Sequence, residues 1–192
     1  MNAQRTLRRP VSCTGIGLHS GNKVTLSLKP AAADYGIRFQ RADLGGLEIP
    51  ATITHLGGMQ QYQTGLMREA VSVETVEHLL GALRALGVDN AVVELNHPEV
   101  PIMDGSAAPW VHLIVNEAGI KTLNAPRRYL KVLRPISLAQ GDKRIALYPA
   151  EHLKVTYSIS FDHPLLRHQS RTMRINEESF VEEIAPARTF GF

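Results

Sequence analysis

The sequence has 192 residues, of which 44% are apolar, 20% charged and 6% aromatic, with a net charge of +3. That balance excludes a disordered or fibrous chain and fits one or two globular domains with real cores; the mild, dispersed charge argues against nucleic-acid binding while suiting an anionic small molecule. A single cysteine, Cys13, excludes an internal disulfide, and with neither a secretory signal nor an apolar run near the roughly 18 residues that span a bilayer, a cytoplasmic protein without stable membrane insertion is expected.

In chain order, residues 5–9 (RTLRR) form the densest basic run and read as a solvated strand edge, with a nucleic-acid patch as the weaker alternative. Residues 14–24 (TGIGLHSGNKV) invite comparison with a dinucleotide-binding fingerprint and fail it. The third glycine comes one residue late, and a strand pattern follows where a helix is required. His19 in this turn is either a surface bystander or a cleft residue. Residues 24–30 alternate with Val24, Leu26 and Leu28 on one face; 36–44, 49–56, 71–73 and 90–96 are further strand candidates.

Residues 75–90 read as a helical segment, with Thr75 as a cap accepting from the amide of His78 and with Val76, Leu79, Leu80, Leu83 and Leu86 as the core stripe. At ~100° per residue His78 lies about 200° from Val76, beside Gly81, Ala82 and Ala85, a small side that something could approach closely. The dipole at a helix start keeps a histidine neutral and a neighbouring carboxylate ionised. Glu77 and His78 together therefore suit a metal ligand with an adjacent base, the logic of zinc hydrolases. Position 82 is alanine, so the usual second histidine is missing, and the residues alone fit a capped helix with a hydrogen-bonded histidine better.

A second helix is expected from Ser106, with Ser106 as cap, Pro109 in the first turn and Gly119 as the stop; Asp104 just before it needs no catalytic role. Residues 123–128 read as a linker between a first domain, 1–122, and the start of a second, 129–192. Beyond it come strand candidates at 129–133, 136–138, 144–148 and 153–161, then a short helix over 176–185. Phe161 and His163 in the FDHP segment fall at a strand end, as site residues and ordinary turn residues both do. His97, His112, His152 and His168 show no metal-ligand spacing and read as structural. Strands followed by helices, twice, give an α+β chain of two sheet-on-helix domains. The helical layer of the second is thin, and the chain is expected to be the front part of a longer protein.

Taken together, RTLRRPVSCTGIGLHSG, TVEHLLGALRALGVDNAVVELN, PEVPIMDGSAAPWV, FDHP and ARTFGF closely resemble the zinc-dependent UDP-3-O-acyl-N-acetylglucosamine deacetylases of lipid A biosynthesis, in order and over nearly the whole chain. The resemblance implies two α+β domains and hydrolysis of the 2-acetamido group of a UDP-linked, acylated glucosamine. It implies that His78 is a zinc ligand, that Glu77 is the general base and that Thr189 stabilises the oxyanion. His19, Phe161, Phe190 and Phe192 are implied as substrate-cleft residues. It further implies that the remaining zinc ligands, a histidine and an aspartate one helical turn apart, and a histidine acting as general acid lie beyond Phe192. Pro186 stands where relatives commonly carry serine. The 192-residue chain is accordingly expected to bind zinc poorly and to turn over nothing. A naturally short, non-catalytic UDP-sugar-binding module is the alternative reading.

Overall fold

A computed structural model describes residues 3–57, 62–163, 165 and 167–189. The chain divides into two units, one of Met1–Arg127 with Phe180–Phe192, the other of Arg128–Ser179.

The first unit is built on a five-stranded sheet. Its strands are β2 (Val11–Ile16), β3 (Lys23–Pro30), β4 (Ile37–Arg41), β5 (Leu47–Pro50) and β8 (Ala91–Leu95). They run in the order β2-β3-β8-β4-β5, and every pairing is antiparallel except that of β4 with β8. The period-2 pattern acts as expected. Val24, Leu26 and Leu28 of β3 and Val93 and Leu95 of β8 are buried, in one apolar cluster with Leu79, Leu83 and Leu86. Those three lie on or just after α1 (Glu77–Ala85). The second helix, α2 (Ala108–His112), widens into π turns over Leu113–Ala118 and adds Trp110 and Ile114 to the same core. It ends at Gly119, whose φ of 66° suits a residue without a side chain.

The expected strand over 36–44 stops at Arg41, because its guanidinium closes back on Asp43 at 2.9 and 2.6 Å and the chain turns over Ala42–Leu44. The expected strand over 49–56 begins earlier, at Leu47, and ends at Pro50. From Thr52 the chain closes a local turn instead, with the His55 amide on the Thr52 carbonyl (2.9 Å) and the Thr52 hydroxyl on His55 Nδ1 (2.7 Å). A small hairpin, β6 (Leu66–Arg68) with β7 (Val71–Val73), leads into α1.

The basic run is a solvated edge only in part: Arg8 and Arg9 are exposed, and its first three residues are strand. These belong to β1 (Ala3–Leu7), which pairs antiparallel with β9 (Ile120–Pro126) and buries Thr6 and Leu7 completely. Residues 123–126, read above as the start of a linker, are thus paired strand. The arginines that follow β1 hold backbone: Arg9 Nε donates to the Glu117 carbonyl at 2.7 Å, a cation at the end of a helical segment. Asp89 receives the Arg5 amide (2.7 Å) and the Arg127 guanidinium (3.0 and 2.8 Å), tying both strands of the β1–β9 ribbon to the loop before β8.

The second unit consists of two antiparallel hairpins, β10 (Ile136–Gln140) with β11 (Lys143–Leu147) and β12 (Lys154–Ser160) with β13 (His168–Arg174), and a helical turn at Glu177–Ser179. β13 (HQSRTMR) is too polar to register as a strand in sequence; it is held by its ladder to β12. Conversely 129–133 alternates well but forms no strand, and Leu130 and Leu133 are 94% and 81% exposed. Alternation makes a strand only where a partner edge exists. In the first hairpin Leu138 sits opposite Ile145, and both remain exposed.

Candidate active site

The segment entering α1 departs from the expected cap. Thr75 has φ of 58°, so it cannot take the extended conformation of an N-cap residue, and the helix boundary falls at Val76 with no side-chain cap. The Thr75 hydroxyl is instead shared between Gln63 Oε1 (3.0 Å) and Glu99 Oε1 (3.1 Å). Glu77 is half-buried, and its Oε2 accepts from the amide of Thr64 at 3.0 Å. His78 is half-buried too, and its Nδ1 is buried without a hydrogen-bond partner among the described residues. An orphaned polar atom costs about 1–3 kcal/mol, and Trp110 Nε1 in the core is the other such atom among the described residues.

The small side of α1 is not open as the helical wheel suggests. Ala82 is wholly buried in the core, and a β-carbon at Gly81 would lie 3.9 Å from the ring of Phe180. An aromatic side chain of the same unit thus covers this position, at a distance where a β-carbon would make ordinary contact.

Glu99 is the residue that sequence reasoning passed over. It is 1% exposed, and its carboxylate gathers the amides of His19 (2.9 Å) and Ser20 (2.8 Å) as well as the Thr75 hydroxyl. Burial works to raise its pKa, but the His19 amide, both hydrogen-bonding groups of Ser20 and the Thr75 hydroxyl outweigh that, and the carboxyl is held below its ordinary value. It thereby joins the turn bearing His19 to the entry of α1. His19 itself is exposed. The only hint in the sequence was the pair of prolines flanking HPEVP, which reads as loop, and a glutamate there is normally solvated.

Thr189 is docked on the loop before α2. Its amide donates to the Gly105 carbonyl at 2.8 Å, and the Ala107 amide donates to the Ala185 carbonyl at 3.0 Å. Asp104 organises that loop by accepting from the amide (3.0 Å) and hydroxyl (2.7 Å) of Ser106, and the hydroxyl bond chiefly holds its carboxyl below the usual range against the opposing effect of burial. Ser106 in turn accepts from the Ala108 amide at 3.2 Å, close to its expected capping role. Thr189 is exposed, and among the described residues none of its hydrogen bonds reaches Glu77 or His78.

Phe161 belongs to the second unit, where its amide bonds the Arg167 carbonyl at 3.0 Å. Phe190 and Phe192 lie outside the described residues. Among the described residues no group of three or more His, Cys, Asp or Glu side chains is placed to hold a metal ion. His78 fits a metal as one nitrogen donor with a carboxylate next to it, but the described donor set is short of the three protein ligands of a catalytic zinc.

An α+β chain with a Glu–His pair at a helix entry and a buried carboxylate network behind it defines a candidate hydrolase site. The chain matches the family model of the UDP-3-O-acyl N-acetylglycosamine deacetylases over residues 4–192. It is 48% identical to the UDP-3-O-acyl-N-acetylglucosamine deacetylase of Pseudomonas entomophila (strain L48) and 46% identical to that of Saccharophagus degradans (strain 2-40), in both cases over all of this chain and 64% of the relative's length. The chain belongs to the UDP-3-O-acyl N-acetylglycosamine deacetylase family. It spans just under two thirds of the length of these relatives. No helix among the described residues is long and apolar enough to cross a membrane.

Proposed function

We propose that the protein of which this chain forms part is a zinc-dependent amidohydrolase of the cytoplasm that removes the N-acetyl group from a UDP-linked 3-O-acyl-N-acetylglucosamine in lipid A biosynthesis. The observation that carries the reading is the buried Nδ1 of His78, without a hydrogen-bond partner among the described residues, beside a Glu77 carboxylate anchored by one oxygen. Family membership and the names of the relatives support the substrate class.

His78 is assigned as one ligand of the metal; the others are assigned to the part of the relatives' length that this chain does not span. Zinc, when bound, would acidify a water and polarise the amide carbonyl. The Thr64 amide fixes Glu77 Oε2, so Oε1 is the atom left to take the proton as the water oxygen attacks the acetyl carbon. Thr189, tethered through its own amide to Gly105, offers its hydroxyl to the oxygen that becomes negative. The carbon–nitrogen bond then breaks, the sugar nitrogen takes up a proton, and acetate and the free amine leave. His19, Phe161, Phe190 and Phe192 are assigned to substrate contact.

The test is acetate release from the acylated UDP-sugar by the full-length protein. Glu77→Gln should reduce kcat by roughly 10²–10⁴-fold with zinc retained, the range for losing a general base. His78→Ala should lose both zinc and turnover. Unchanged turnover in either variant would show the roles to be wrong, and tight UDP-sugar binding without any turnover by the wild type would favour the non-catalytic binding module.

A further inference from the structure

We propose that Glu99 is a positioning residue for this reaction: a buried carboxylate that sets two site-bearing segments at once, the turn carrying His19 and the entry to α1 carrying Glu77 and His78. The proposal rests on the functional reading above.

Three donors converge on Glu99 from segments far apart in sequence, the amides of His19 and Ser20 and the hydroxyl of Thr75. Its own backbone is fixed, because residues 98–100 run alongside Glu74, with the Glu74 amide on the Pro98 carbonyl (2.8 Å) and the Val100 amide on the Glu74 carbonyl (3.0 Å). The carboxylate is therefore a rigid post. Only an acceptor at both oxygens serves it, since an amide would turn an NH2 group against an N–H donor.

Thr75 is the point at which the post acts on the site. A β-branched residue at φ 58° is a true conformational outlier, which persists only where its surroundings hold it. The Glu74 bridge, the Val76 amide on the Thr64 carbonyl (3.2 Å) and the hydroxyl, shared between Glu99 and Gln63, are those surroundings. Relaxing Thr75 would re-phase the first turn of α1, and Glu77 and His78 stand on that turn. If only packing mattered here, an apolar side chain would fill the place without burying a charge.

The experiment uses the full-length protein and the variants Glu99→Gln, Thr75→Val and Thr75→Ser. It reads kcat and KM for acetate release, zinc affinity by chelator competition, and the thermal unfolding midpoint. Glu99→Gln and Thr75→Val should lower kcat by roughly ten- to a hundredfold and weaken zinc binding about tenfold, and Thr75→Ser, which keeps the hydroxyl, should stay within about threefold of wild type in both. Lowered unfolding midpoints with kcat and zinc affinity retained would overturn the proposal, as would equal losses in the Val and Ser variants. Should Glu99→Gln not fold, the Thr75 pair decides together with Gln63→Ala, which removes the other acceptor of that hydroxyl and should leave kcat and zinc affinity within about threefold of wild type; losses equal to those of Thr75→Val would overturn the proposal. If the wild type releases no acetate the functional reading fails, and zinc affinity across the same variants still decides the positioning of His78.

Discussion

Replacing Gly17 with alanine measures how tightly the turn before His19 is seated on Glu99. A β-carbon built on Gly17 falls 2.3 Å from Glu99 Oε2, 2.3 Å from the Ser20 hydroxyl oxygen and 2.8 Å from Glu99 Cδ. An ordinary carbon–oxygen contact needs about 1 Å more. Ser20 is exposed and its hydroxyl can turn aside, but the carboxylate cannot: Oε2 holds the Ser20 amide at 2.8 Å, and Glu99 is 1% exposed. Overpacking a filled site costs about 1–3 kcal/mol, and losing a hydrogen bond to a charged group costs about 1.5–3 kcal/mol. The two overlap, because moving the carboxylate is how the clash is relieved, so a loss of about 2–4 kcal/mol is expected.

Gly21 in the same turn is the control. Its φ is 66° and no atom lies within 4 Å of its β-carbon position, so alanine there meets only backbone strain, about 1 kcal/mol. Trp110 is the sole tryptophan, fully buried in the same unit, and its fluorescence during urea unfolding reports both variants. In a Glu99→Ala background the cost of Gly17→Ala should fall below about 1 kcal/mol, since the buried carboxylate is gone and only the exposed Ser20 hydroxyl must turn aside. Equal losses at Gly17 and Gly21, or no coupling to Glu99, would refute the reasoning.

Burial, assisted by the Glu117 charge, pushes the Cys13 thiol up to about 11. At pH 8 the folded chain should therefore carry a roughly hundredfold smaller thiolate fraction than an unperturbed cysteine and react correspondingly slowly with a disulfide reagent, unfolding restoring the ordinary rate. The depressed pKa of Glu99 makes its contribution to stability fully present above the unfolded value, about pH 4.3, and lost as pH falls through the lower folded value. The stability gap between wild type and Glu99→Gln, followed by urea unfolding, should therefore be constant from neutral pH to about 5 and close below about 4. Phe180→Ala removes a ring that is 7% exposed and lies against Gly81; the first unit should lose about 3–5 kcal/mol by the same tryptophan signal, and a loss under 1 kcal/mol would mean the ring is not seated there.

What could be read from the sequence was what repeats locally. Of the expected stripe, Val76, Leu79, Leu83 and Leu86 are buried and Leu80 only partly so, and the alternating residues of β3 are buried. Gly119 ends the second helical segment as expected, whereas the cap position falls at Ala107, one residue after the expected cap Ser106, whose hydroxyl still accepts the Ala108 amide. β13 was hidden because its residues are polar and only its partner makes it a strand. Thr75 misled for a related reason. Threonine before a helix is ordinarily a cap, yet here its hydroxyl turns to Glu99, which lies 24 residues along the chain. Glu99 in turn meets His19 across 80 residues. No periodicity encodes either separation, and isolated glutamates and glycines resemble solvated loop residues until the fold closes around them. The Glu77–His78 pair was legible as chemistry because both members are adjacent in sequence, whereas the network that aims them is assembled from the turn at Gly17–Ser20, the entry to α1 and the stretch around Glu99. Local reading thus finds the groups that react; the placement of those groups belongs to contacts formed only in the folded chain, and here they pass through one buried carboxylate.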